Sequence, residues 1–111
     1  MKSLIDQQQG IRFAGEREAL YRRMLSRFSF DPTIKWLKDA FSRRDRQDAF
    51  LQAHTLKGLC AQLALPALEG EAADLCCLLR SEEHMPASMP ESLLAVYAKT
   101  VEAIANFLEN P

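Results

Sequence analysis

His54 and Lys57 are the residues of this sequence best equipped for chemistry, and Gly58 beside them is the one that most needs a reason. An imidazole is a good nucleophile near neutral pH, where much of it is uncharged. Lys57, three positions on, lies on the adjacent helix face. Its ammonium could pair with an anion carried on the ring, an attraction of about 1–4 kcal/mol between water-like and surface-like dielectric. Glycine inside a helix costs roughly 1 kcal/mol relative to alanine. At Gly58, one turn from His54, it removes the side chain that would crowd the ring. Close approach by a second protein is a sufficient reason for it.

The element that must carry these residues is a helix over 46–65, with Asp45 at its start and Asp48 adding negative charge to its first turn. At 100° per residue Ala49, Ala53, Leu56, Cys60 and Leu63 fall on one side, the stripe expected to face a core. His54 points well off that stripe. Around it at helical spacing stand Phe50, Leu51, Lys57, Gly58, Ala61 and Leu65, a shallow apolar patch where a solvated face would carry charges. A lone histidine on a helix is most often structural, capping a neighbour or half-buried at a packing seam. The angle away from the core, the i+3 lysine, the i+4 glycine and the apolar surround together favour a face built to meet a partner.

The run Ala53-His54-x-Leu56-Lys57-Gly58, with Leu63 and Leu68 further on, resembles the signature of histidine-containing phosphotransfer domains. Asp6, Gly10, Ile11, Ala14 and Gly15, then Leu20, Tyr21, Met24, Leu25 and Phe28, are similar to the N-terminal segment of that family, and Asp45 fits as well. The likeness weakens after about Arg80, where only a helical pattern is shared. It implies that His54 takes a phosphoryl group from the aspartyl phosphate of one receiver domain and passes it to another. By the same resemblance Lys57 stabilises the phosphoryl oxygens and Gly58 clears the approach. Phe50, Leu51, Ala61 and Leu65 supply the docking rim, helped by Leu4 and Ile5. Mg²⁺ is expected on the receiver, so no cofactor is expected on this chain. The implied partners are response-regulator receivers and a hybrid sensor histidine kinase. Two positions depart from the family. Ala64 stands where glycine is frequent, and Cys76 stands where a Glu or Gln often holds the ring. A thiol is a weak donor and acceptor, so the ring is expected to be less firmly oriented or to use another partner such as water.

The rest of the chain reads as all-α. Residues 3–9 suit a short leading helix, and Gly15 suits a cap before a helix over 16–28 with Leu20, Met24 and Phe28 on one side and Tyr21 and Leu25 beside them. Asp31-Pro32 signals an N-cap followed by proline at the first helical position, hence a kink or break before 33–43. There Ile34, Leu37, Ala40 and Phe41 form the inner face and Trp36 a partly covered neighbour. Pro66 ends the histidine helix and opens the next, on which Leu68, Ala72, Leu75 and Leu79 line up. Residues 81–90 hold two prolines and no periodicity, so they form a loop. A last helix over 90–109 carries Leu94, Tyr97, Val101, Ile104 and Leu108. Short connections pack these stretches as an antiparallel up-down-up-down four-helix bundle, with the kinked pair 16–43 as one member and a short N-terminal helix added. One domain over 1–111 is expected, acting as a monomer.

Composition narrows the function classes. The 111 residues are 48% hydrophobic and 26% charged with a net charge of −1, which argues against a nucleic-acid binder. Arg22, Arg23, Arg27, Arg43, Arg44 and Arg46 cluster, and solvated helix faces account for them more simply than a phosphate-backbone site; an acidic protein partner is the lesser alternative. No apolar run reaches the ~20 residues needed to span a bilayer, the N-terminus lacks a signal peptide's apolar core, and a cytoplasmic location is expected. Three cysteines, two adjacent and none in CxxC spacing, suit buried small hydrophobes in a reducing compartment. His84 beside Glu82 and Glu83 is expected to be an exposed loop residue. There is no glycine-rich phosphate loop and no pair of Glu-x-x-His segments. The chain is therefore expected to be a carrier without its own ATP site, not an enzyme. Its rival is a phosphorylation-silent module of the same fold that regulates a kinase or receiver by occupancy; a metal-binding bundle lacks the inward polar groups.

Overall fold

The chain reverses direction wherever it can leave a helix through a left-handed residue. The computed structural model describes residues 2–81 and 85–110, and their regular structure is entirely helical. In chain order the helices are α1 (Gln7–Phe13), α2 (Glu18–Phe28), α3 (Thr33–Ser42), α4 (Arg46–Leu63), α5 (Pro66–Leu79) and α6 (Glu91–Glu109). Gly15, Arg44 and Ala64 have φ of 71°, 57° and 56°. At each the next amide reaches back to a carbonyl of the last turn: Glu16 to Ile11 at 2.9 Å, Asp45 to Ala40 at 2.9 Å and Leu65 to Cys60 at 2.9 Å. These bonds close the helix ends and turn the chain sharply. The starts of α1, α4 and α5 carry their own signals. Asp6 accepts from the Gln9 amide, Asp45 from the Asp48 amide, and Pro66 occupies the first turn of α5.

The α2–α3 pair forms one bent member of the bundle, broken at 29–32. α2 lies antiparallel to α6, with Tyr21 against Phe107 and Phe28 against Tyr97, while α3 packs on α4 and α4 on α5. The result is the antiparallel four-helix bundle with a short leading helix that the periodicity predicts. The core is drawn from every member: Tyr21, Leu25, Leu37, Leu56, Leu68, Leu75, Leu79, Leu93 and Ile104 are all buried. On α4 the buried residues Ala49, Ala53, Leu56, Cys60 and Leu63 are the expected stripe.

Several expectations need correction. The leading helix is 7–13, not 3–9, because Asp6 is its cap. Residues before it run non-helically across the α4–α5 corner, bonded by Asp6 N to Ala64 O at 2.8 Å and Ala67 N to Ser3 O at 3.0 Å. Pro32, not Asp31, directly precedes α3, although the Asp31 carboxylate still accepts from the Thr33 amide. Tyr21, Leu25 and Phe28 are buried on α2, whereas Leu20 and Met24 are only half-buried. α6 is rotated from its expected phase. Leu93, Thr100 and Ile104 are buried and Leu94, Val101 and Leu108 sit at the margin. The buried threonine is tolerated because its hydroxyl donates to the Val96 carbonyl at 2.7 Å. Trp36 is more than half exposed.

The arginines are largely structural. Arg22 stacks over Phe107 and donates to the carbonyls of Phe107, Leu108 and Asn110, closing the end of α6. Arg44 holds the carbonyls of Met85, Pro86 and Ala87, and Arg46 donates to Leu79 at the end of α5. Arg43 bridges Asp39, Asp45 and Asp48. Cations are well placed at the carbonyl ends of helices, as Arg22 and Arg46 are, while Arg44 fastens the loop before α6 and Arg43 the turn between α3 and α4. Arg23 and Arg27 remain on the exposed face of α2. His84, Glu82 and Glu83 lie outside the described residues.

Candidate functional site

α4 is a platform fixed at both ends. Asp45 caps its start, Asp48 accepts from Gln52 and Arg43, and those bonds hold the Asp48 carboxyl below its usual range. At its other end the Tyr21 hydroxyl donates to the Leu63 carbonyl at 2.7 Å. Burial pushes the Tyr21 hydroxyl pKa up to about 12, with Asp6 adding to the effect. Gly10 of α1 lies flat on that ring, and a Cβ there would sit 2.2 Å from the Tyr21 Cζ. Gly10 is thus a close-approach glycine that seats α1 on the α2 tyrosine whose hydroxyl ties down the end of α4.

On this platform His54 is exposed, on the side of α4 away from the buried stripe. Gly58 is also exposed, and a Cβ built on it would meet nothing within 4 Å. Leu51 is 59% exposed and Ala61 partly so. The face is nearly free of formal charge: from Ala49 to Leu68 the only Lys, Arg, Asp or Glu is Lys57. Within that stretch an anion arriving at His54 meets one cation and no acidic side chain, and Asp48 further back on the helix is engaged with Arg43 and Gln52.

Among the described residues no side chain hydrogen-bonds the imidazole. Its one ring neighbour is Phe50, at 6.2 Å between centroids and tilted by 38°. Cys76 is buried on α5. Burial pushes its thiol up, and the nearby Lys57 and Arg80 cations offset part of that rise. Cys76, at the position where a Glu or Gln was expected to hold the ring, thus lies within the electrostatic reach of Lys57. Cys60 is buried in the core and its thiol is pushed up to about 12, by burial first and Glu69 second. All three cysteines are free, and Cys77 is exposed, contrary to the expectation that all are buried.

Leu65 is a correction. It is wholly buried and cannot belong to a docking rim. Projection of α4 through residue 65 put it on the His54 face, but Ala64 leaves the helix in a left-handed conformation and turns Leu65 into the core. Leu4 and Ile5 are half-buried at the α4–α5 corner, and Ile5 packs against the core rather than standing on a helix. Sequence reasoning missed Phe13, which is 55% exposed and shares a cleft of about 270 Å³ with Ala61 and Glu69. Misplacing α1 by four residues hid it. It also missed the cleft of about 250 Å³ between α2 and α4, where Met24, Arg27, Leu59 and Gln62 meet. Helical spacing puts Leu59 and Gln62 on the flank of α4 next to Gly58, so a projection that included them would have found this margin.

Among the described residues no three His, Cys, Asp or Glu side chains gather as a metal would require, and no helix is long and apolar enough to cross a membrane. A family model described as Hpt domain matches residues 18–109. Comparison with curated proteins and with solved structures gives no match.

Proposed function

Since this chain belongs to the Hpt domain family, whose members carry phosphoryl groups on histidine in two-component signalling and lack an ATP site of their own, we propose that His54 is its phosphoacceptor. The observation that carries this assignment is an exposed imidazole on a capped helix, with open space over Gly58 and one cation in an otherwise uncharged stretch. The donor is the aspartyl phosphate of a receiver domain, and the acceptor is the aspartate of a second receiver. A hybrid sensor kinase feeds the first.

In this scheme the Nε2 lone pair attacks phosphorus. The P–N bond forms as the P–O bond to the aspartyl carboxylate breaks, and the carboxylate leaves with the bonding pair. The ring keeps the proton on Nδ1. Transfer onward is the same exchange in reverse, with a carboxylate oxygen as nucleophile. Such reactions depend chiefly on in-line positioning and charge stabilisation. Lys57 stabilises the phosphoryl oxygens from this side, and the receiver's acidic pocket brings Mg²⁺ from the other. Gly58 leaves room for that pocket, and Leu51 and Ala61 meet its rim.

The test is incubation of the protein with a phosphorylated receiver. Acid-labile, base-stable label on wild type that disappears in His54→Gln is expected. Receiver binding without label in either protein would overturn the assignment and leave a module that acts by occupancy.

A further inference from the structure

We propose that Phe50 is a positioning residue for the His54 imidazole, a role that rests on His54 being the phosphoacceptor. Three observations converge. The imidazole has no hydrogen-bond partner among the described residues, so nothing polar fixes its χ angles. The Phe50 ring lies one helical turn before it at 6.2 Å and 38°, inside the 4.5–7 Å range of attractive aromatic pairs. Phe50 is half-buried and packed against the core, whereas His54 is exposed. One ring is therefore held by the bundle and the other rests on it.

An exposed side chain samples several staggered rotamers on a fast timescale. A nucleophile that must attack in line loses rate in proportion to the time spent elsewhere. A fixed aromatic wall on the N-terminal side of His54 narrows that distribution without a hydrogen bond. This changes the part given to Phe50. Its main contact is with the imidazole of its own chain, and the receiver meets the ring that Phe50 has already aimed.

The discriminating probe is a small phosphodonor. Phosphoramidate transfers its phosphoryl group to imidazole as its P–N bond breaks and ammonia leaves, and it needs no docking surface. Phe50→Leu keeps apolar bulk but removes the flat wall, and Phe50→Tyr keeps the wall. Phe50→Leu is expected to be labelled several-fold more slowly than wild type by phosphoramidate and, by a similar factor, by saturating phosphorylated receiver. Receiver Kd should stay within twofold and Phe50→Tyr should match wild type. In NMR spectra the His54 ring protons should lose their aromatic shift in Phe50→Leu, and the His54 Hα–Hβ couplings that report χ1 should become averaged. A Phe50→Leu variant with an unchanged phosphoramidate rate and weakened receiver binding would make Phe50 a docking residue and overturn the proposal. So would unaltered His54 couplings. Absence of label on wild type from both donors would strike the phosphoacceptor assignment itself, while the couplings would still decide whether Phe50 orients the ring.

Discussion

At Gly58 a Cβ would meet nothing within 4 Å, so stability and access pull in opposite directions there. Alanine suits a helix interior better than glycine by roughly 0.5–1 kcal/mol. Gly58→Ala is expected to raise the unfolding free energy by about that amount in a urea titration, while phosphotransfer from a receiver slows. Greater stability with undiminished transfer would show that the approach does not pass over residue 58. Lys57→Ala should leave the fold intact, because the side chain is only half-buried, and should slow transfer or shorten the lifetime of the phosphorylated form. Time courses of label gain and loss check it, and unchanged rates would remove the lysine from the mechanism. That His54 and Gly58 stand open on α4 near a single lysine was legible in the sequence because each breaks a helical rule: an off-stripe ring, a solitary charge, an interior glycine. Leu65 was not, since its direction depends on a single backbone angle at Ala64. The Phe50–His54 contact was visible only as an i, i+4 spacing, which fixes proximity but not the tilt of two rings.

The helices themselves were legible wherever the apolar residues repeat strictly, as on α4 and α5. They were blurred where large hydrophobic residues surround the axis. On α6 the candidates Leu93, Leu94, Val96, Tyr97, Val101 and Ile104 leave the phase open, and the deciding residue is Thr100, a polar type that satisfies itself within the helix. Arg22, Arg44 and Arg46 were unreadable for another reason: their partners are main-chain carbonyls far away in sequence, which leave no trace in residue types. The three chain reversals permit a direct comparison. Ala64 and Arg44 hold the left-handed conformation that favours glycine. Ala64→Gly is expected to stabilise the protein by about 0.5–1 kcal/mol, net of the added freedom of the unfolded chain. Arg44→Gly should show no such gain, because it also discards the bonds to Met85, Pro86 and Ala87. Equal gains in chemical denaturation would mean that those bonds contribute nothing.

For the whole molecule, the two groups raised to about 12 set the alkaline limit. Tyr21 rises from 10.0 and Cys60 from 9.0, chiefly through burial. Both are neutral when protonated, so the unfolded chain loses these protons at lower pH than the folded one does. Their contribution is complete below about pH 9 and is lost as pH climbs towards 12. Urea midpoints should therefore hold up to about pH 9 and then fall, with Cys60→Ala flattening the first part of the decline. A flat profile from pH 8 to 11.5 would contradict the burial of both groups. The long uncharged surface of α4 has a consequence of another kind. A phosphoryl group adds roughly two negative charges, and here it would outweigh the single lysine and reverse the sign of the local field. On this face, at close range, loaded and unloaded molecules would then look electrically opposite, so the cargo would serve as its own label.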